Sequence, residues 1–202
     1  MKSLLKLQIL LTRKNLNAYL IPKSNFYFSE ELMLSEERLK YISNFSGSAG
    51  WAIIVSLKNE KSAIFTDGRY KIQVRKEVDN RDFKFFNGGM SEIVSFLNKR
   101  KDKLKNIGFD PNLISKTDYD FLNSKLKESK IQLKKVEENL VDAIWNKKPM
   151  LKNNKVFKLP VKYAGENSLT KIAQLISTIN TYQSYGYILN KPDCLSWLLN
   201  VR

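Results

Sequence analysis

The 202-residue chain contains no histidine. That absence removes the Ser-His-Asp and Cys-His arrangements of nucleophilic hydrolases, and every metal centre that needs an imidazole. Cysteine is nearly absent too, since Cys194 stands alone. No internal disulfide can form, which suits a reducing compartment. Cys194 lies in an apolar run, where a buried, inert thiol is expected rather than a nucleophile. Five prolines and eight glycines are too few for a collagenous or low-complexity chain. Long apolar runs are missing as well. The opening Met1-Lys2-Ser3-Leu4-Leu5-Lys6-Leu7-Gln8-Ile9-Leu10-Leu11 is broken by Lys6 and Gln8, and no small-residue cleavage site follows it. No stretch approaches the roughly 20 apolar residues that cross a bilayer. These absences predict a cytoplasmic protein with no membrane partner.

What is present is a core. Hydrophobic residues make up 43% of the chain and aromatics 11%, enough to bury an interior and to argue against disorder. The length allows one full domain and part of another. Lys and Arg outnumber Asp and Glu by 35 to 20, a net charge of +15, and such a balance attracts anions. Yet the cations are mostly Lys, spread along the whole chain among many Asn and Ile. An AT-biased coding sequence produces the same pattern. No nucleic-acid motif accompanies it, so nucleic acid is not expected as a partner. A basic anion- or nucleic-acid-binding module stands as an alternative reading.

Periodicity outlines the elements. Leu4, Leu7 and Leu11 recur at helical spacing, predicting a helix over Ser3 to Lys14. Ala18 to Ile21, closed by Pro22, reads as a buried strand. Ser29 to Arg38 reads as a charged surface helix. Trp51 to Leu57 and Ser62 to Thr66 form a hairpin about Lys58-Asn59-Glu60-Lys61. Asp67-Gly68 opens a helix running to Val78. Strands at Asp82–Phe86, Asn106–Phe109 and Ile131–Val136 alternate with helices at Ser91–Lys103 and Thr117–Glu128. That alternation predicts an α/β fold, a sheet flanked by helices. Lys147 to Pro160, rich in Lys, Asn and Pro, reads as a linker. Beyond it, Ser168 to Thr181 is an amphipathic helix with Ile172, Leu175, Ile176 and Ile179 on one face. A strand at Tyr185–Leu189 and the run Cys194–Val201 follow. These pieces are too few to close a sheet of their own.

Two short strings carry the most information. They are Phe45-Ser46-Gly47-Ser48-Ala49-Gly50 and Thr66-Asp67-Gly68-Arg69-Tyr70. The first could form a nest of backbone N–H groups for an anion, but it lacks the Gly-Lys-Ser/Thr end of a phosphate loop. Its glycines are better explained by positive φ and close packing. Asp67 stands where a strand ends and a helix starts, the place of an N-cap accepting from Arg69 or Tyr70. Arg69 is placed to pair with a neighbouring acid or to pack across the sheet. Asp118 and Asp120 diverge by about 200° on a helix and cannot act as a carboxylate pair. Lys99-Arg100-Lys101-Asp102-Lys103 reads as a solvated helix end. No spacing of carboxylates builds a metal site.

Both strings resemble signatures of the N-terminal domain of the aminopeptidase P and creatinase family. Other segments agree in order. Leu16-Asn17-Ala18-Tyr19-Leu20-Ile21-Pro22 is similar to that family's first strand, Glu37 to Ile42 to the approach to its small-residue loop, and Gly108-Phe109-Asp110-Pro111 to a strand end. Asn139 to Trp145 with Pro149 resembles the exit from domain I of the long, three-domain aminopeptidases P. Tyr163-Ala164-Gly165-Glu166 and Ser196 to Arg202 resemble the opening of domain II.

The resemblance implies a creatinase N-terminal-like domain I of ribonuclease H-like type over residues 1–146. A linker over 147–160 and the cut-off start of a similar domain II over 161–202 would follow. It implies that the residues of the two strings, Phe45 to Gly50 and Thr66 to Tyr70, are structural. In the family a third domain holds two divalent metals, usually Mn, on two Asp, one His and two Glu. They activate a hydroxide that cleaves before a penultimate proline. None of those ligands maps onto this chain. One departure is local: Lys23 to Glu30 has Asn25 and aromatics where relatives carry an Asp and a His. The implied function is a non-catalytic N-terminal fragment without a cofactor of its own. Its partners would be a second copy of itself or a separately encoded catalytic chain.

Overall fold

The structure, a computed structural model, describes residues 2–151 and 154–202. The expected linker is thus seen in part, because Lys152 and Asn153 lie outside the described residues. The chain divides into two units. One holds the residues up to Asn25 and Glu30–Met150, the other Phe26–Ser29 and Leu151–Arg202.

In the first unit, alternation of apolar side chains with period two builds a sheet buried on both faces. Strands β1 (Ala18–Pro22), β2 (Trp51–Val55), β3 (Ser62–Thr66), β4 (Phe83–Asn87), β5 (Asn106–Phe109) and β6 (Gln132–Lys135) lie in the order β4-β3-β2-β1-β5-β6. The sheet is mixed, as α/β patterning predicts. β1–β2 and β2–β3 are antiparallel, whereas β1–β5, β5–β6 and β3–β4 are parallel.

Side chains sort by parity. Tyr19, Ile21, Ala52, Ile54 and Ile64 face one core. Helices α1 (Ser3–Arg13), α2 (Arg38–Ser43), α3 (Gln73–Glu77) and α6 (Leu140–Ile144) cover it, through residues such as Leu7, Leu39, Val74 and Val141. Ala18, Leu20, Ile53, Val55 and Phe65 face the other core, under α4 (Met90–Asn98) and α5 (Lys116–Leu126). Gly108 sits where the first layer is tightest. A Cβ there would come within 2.7 Å of Leu16 and 2.9 Å of Tyr19.

Four sequence expectations change here. Ser29–Met33 is not helical. A single 3-10 turn at Leu34–Glu36 precedes α2. The Glu36 carboxylate accepts from the Met33 backbone N–H (3.0 Å) and from Asn25 (3.1 Å), which fixes a turn. The apolar pair that can anchor a helix, Leu39 and Ile42, lies only after Arg38. The helix expected over Asp67–Val78 is split into a 3-10 turn, Gly68–Tyr70, and the short α3. Strand β2 stops at Val55 and α4 at Asn98, earlier than periodicity alone implied.

α6 is held by charge as well as by burial. Arg38 donates from Nε and Nη2 to both carboxylate oxygens of Asp142 (2.9 and 2.8 Å), and Lys148 reaches the same carboxylate at 2.8 Å. Tyr41 stacks on Trp145 with ring centroids 4.3 Å apart. Burial pushes the Tyr19 hydroxyl well above its ordinary pKa, so it stays protonated beneath the Leu140 N–H.

The second unit is helical, with α7 (Val161–Ala164), α8 (Ser168–Thr181) and α9 (Pro192–Leu199). The strand expected at Tyr185–Leu189 does not form. Tyr185 and Ile188 are almost fully exposed there, and no strand among the described residues of this unit pairs with them. The run from Cys194 is helical instead. Pro192 at the first turn supplies the φ that starts α9. Phe157–Leu159, inside the expected linker, pairs with Asn200–Arg202, the Leu159 N–H donating to Asn200 O at 2.7 Å.

The Arg38–Asp142 pair yields an asymmetric expectation. Removing Asp142 strands a buried guanidinium, whereas removing Arg38 leaves a quarter-exposed carboxylate that still has Lys148. Asp142→Ala is expected to destabilise by about 3 kcal/mol or more, and Arg38→Met by clearly less. Urea unfolding of both variants checks this. Equal losses would place the stabilisation in packing rather than in the pair.

Candidate functional site

The two signature strings meet at one end of the sheet. The first leaves α2 after Asn44, which adopts φ 66°, and runs to Gly50, whose carbonyl accepts from Lys23 N–H at 2.8 Å beside the end of β1. The second continues β3 from the buried Thr66 into the 3-10 turn. Phe45 is fully buried and meets Tyr70 edge-on at 5.6 Å. Ser48 Oγ and Tyr70 Oη lie 2.7 Å apart.

The glycines serve space rather than rotation. Neither Gly47 nor Gly50 has positive φ, so that part of the sequence expectation is corrected. At Gly47 a Cβ would fall 2.3 Å from the Phe45 ring and 2.8 Å from Tyr70; at Gly50 it would lie 3.1 Å from the Phe65 carbonyl. The close-packing half of the expectation describes both. Ala49 is half-buried between them.

The first donor of the loop is already engaged by a carboxylate. Ser46 N–H and Oγ each donate to the Glu77 carboxylate at 2.7 Å, and Gln73 Nε2 bonds both Ser46 Oγ and Glu77. Burial alone would raise the Glu77 carboxyl. The bonds from Ser46 and Gln73 outweigh it and hold the group below the ordinary range. Sequence reasoning missed Gln73 and Glu77. Their i, i+4 spacing on a short helix was the available signal, but nothing tied it to Ser46, 31 residues away.

Asp67 behaves as the N-cap. Its carboxylate accepts from the Arg69 backbone N–H at 2.9 Å and from the Arg69 guanidinium at 2.8 and 3.0 Å. The guanidinium holds this carboxyl below its ordinary value. Both oxygens are occupied, which leaves a poor base or ligand. A Cβ added at Gly68 would meet only Asn87 Oδ1, at 4.0 Å. Asp118 turns to Ser115 and Asp120 to Lys116, apart as their spacing demands. Buried Asp110 accepts from Asn112 N–H (2.9 Å) and Asn139 (2.8 Å), and Asn139 in turn caps α6. Among the described residues, no three His, Cys, Asp or Glu side chains gather as a metal site would require.

The second unit has a groove of about 430 Å³ between α8 and α9, lined by Leu175, Thr178, Leu189, Cys194, Trp197 and Leu198. Cys194 is half-buried on this wall, not enclosed as expected. Ile172, Leu175 and Ile179 are half-buried and Ile176 exposed. Lys171 is buried. It donates to the Trp197 carbonyl and to Asn200 Oδ1, both at 2.8 Å, with its Nζ 4.3 Å from the Trp197 ring centroid. It thus neutralises the carbonyl end of α9. No helix among the described residues is long and apolar enough to cross a membrane.

Known proteins resemble this chain in sequence and fold. A probable Xaa-Pro aminopeptidase P of Laccaria bicolor is 34% identical over 98% of this chain, which covers 31% of that protein. One from Pyrenophora teres f. teres is 32% identical, with 98% and 30% covered. The chain therefore spans about a third of the length of the curated relatives it matches. The crystal structure of an X-prolyl aminopeptidase from Caenorhabditis elegans, described as a cytosolic enzyme with a di-nuclear active site, superposes with a TM-score of 0.84. Identity is 27%, over 99% of this chain and 34% of that one. The N-terminal domain of the peptidase PepQ from Mycobacterium tuberculosis shares the fold at a TM-score of 0.57 and 19% identity, over 70% of this chain and 97% of that one. Sequence models of the creatinase/prolidase N-terminal domain match residues 4–144 and, in a second version, 147–202. With both signature loops and the sheet order in place, the chain belongs to the creatinase/prolidase N-terminal domain family.

Proposed function

We propose that these 202 residues act as the non-catalytic N-terminal part of a cytoplasmic Xaa-Pro aminopeptidase P-like protein. The observation that carries this reading is coverage: nearly all of the chain aligns, but with only about a third of each relative. Composition supports it, since no imidazole is available to hold a metal or move a proton. The carboxylate of Asp67 is committed to Arg69 and that of Glu77 to Ser46. The strings Phe45–Gly50 and Thr66–Tyr70 then have a bracing role. Any divalent metals, Mn in the family's usual form, would belong to residues other than these.

The proposed organisation is domain I over 1–146, a linker over 147–160 and the opening part of domain II over 161–202. The apolar wall of α8 and α9 favours one further statement. It is covered in use, by self-association or by a separately encoded catalytic chain, because a face bearing Ile176, Trp197 and Leu198 is costly to leave in water.

Three expectations follow from this reading. The purified chain releases no amino acid from Xaa-Pro peptides, with or without added Mn. Manganese-dependent release that survives removal of host peptidases would sink the proposal. Limited proteolysis cuts first between Lys147 and Lys158, and earlier cleavage within 1–146 would show the boundary to be misplaced. Sedimentation of the full chain shows mass rising with concentration, and Ile176→Lys lowers that rise at least severalfold. A clean monomer at all concentrations would show that the α8–α9 wall needs no cover.

A further inference from the structure

Three loops that are distant in sequence meet at the end of the sheet where β1, β5 and β6 begin. They follow α1, α4 and α5, and the parallel register of the three strands puts their starts on one edge. Hydrogen bonds join them. Asn17 Oδ1 accepts from the backbone N–H groups of Lys105 and Asn106, both at 2.9 Å. Gln132 N–H donates to Lys105 O at 2.7 Å, and Ser129 Oγ to Asn98 Oδ1 at 2.7 Å.

This edge gathers Lys14, Lys99, Lys101, Lys105, Lys127 and Lys130. All six are exposed, and none forms an ion pair among the described residues. Arg100 and Lys103, in the same loops, share Glu60 instead. The only acids in the three loops are Asp102 and Glu128. Along the sequence these lysines look evenly scattered; the fold collects them.

Helix ends explain part of the cluster. Three carbonyl termini together present about −1.5 charges to this edge. Six free cations against two acids leave an excess of about four, of which the helix ends balance less than half. Neighbouring strands are about 4.8 Å apart, so cations in the loops that lead into β1, β5 and β6 repel one another over a Debye length of about 10 Å. A closely spaced row of negative charges would relieve that repulsion.

The surroundings narrow the partner. The large apolar residues of these loops, Leu16, Leu104 and Ile131, are buried. No exposed aromatic offers a stacking platform for bases, no apolar wedge offers entry to a bilayer, and no anchor offers a protein hot spot. Lysine point charges on a polar surface suit phosphates contacted without sequence reading.

We infer that the β1–β5–β6 edge of the first unit binds the phosphate backbone of duplex nucleic acid, independently of sequence. The test uses fluorescence anisotropy of the full chain with two unrelated 20-base-pair duplexes. Equal affinities are expected for both duplexes. With about four phosphate contacts, affinity should fall roughly 100-fold between 50 and 200 mM salt.

Lys101→Glu combined with Lys127→Glu should weaken binding at least 10-fold at 50 mM salt. Lys40→Glu combined with Lys76→Glu, the same change of net charge on exposed residues of α2 and α3, should stay within 3-fold of the parent. Circular dichroism checks that both pairs fold. Equal weakening by the two pairs would reduce the effect to net charge and overturn the assignment. So would a preference between duplexes, absence of binding at 50 mM salt, or tighter capture by phosphatidylserine vesicles or polyglutamate than by the duplex.

Discussion

Double-sided burial of β1 is the constraint on which the first unit depends. All five residues from Ala18 to Pro22 are buried. The strand has an antiparallel neighbour on one side and a parallel neighbour on the other. A strand with no wet face cannot slip register cheaply, because a shift of one residue exchanges the contents of two cores. Tyr19 would leave the layer of Leu7 and Leu39, and Leu20 the layer of Phe96 and Leu97. The helices follow from that need, since each layer must be closed by apolar faces on both sides.

The signature loops complete the same design at the sheet's other end. Gly47 lets Phe45 and Tyr70 come together, Ser48 ties to Tyr70, and Ser46 is fastened to α3 through Glu77. Residue types that elsewhere bind phosphate or metal are here saturated by one another. Membership in a peptidase-related family and the pairing of Ser46 with Glu77 and of Asp67 with Arg69 are therefore compatible. The loops hold strands and helices in place.

Much of this was legible in the sequence where the signal was local. The strand at Ala18–Ile21, the N-cap at Asp67 and the helix over Ser168–Thr181 each rest on neighbours a few residues away, and each stands as read. The failures share a cause. Ser29–Met33 has helix-forming composition, but Asn25 and Glu36 fix a turn. Tyr185–Leu189 has strand composition but no partner to hydrogen-bond. The run from Cys194, to which its apolar composition assigned no state, is helical to Leu199 because Pro192 starts a helix. In the loops, residue identity pointed to packing at Gly47, while the Ser46–Glu77 contact could be found only in three dimensions.

The parallel pairing of β1 with β5 also has a temporal side. Asn17, at the threshold of β1, accepts from Asn106, 89 residues later. Closing so long a loop is entropically slow compared with forming the β2–β3 hairpin. On the ribosome, β1 can find β2 early, but its other edge stays open until β5 has emerged. During that interval the growing chain displays the unpaired N–H and C=O groups of a strand edge, flanked by large apolar side chains. A nascent-chain chaperone would have its clearest target there, from the emergence of β2 until that of Asn106–Phe109.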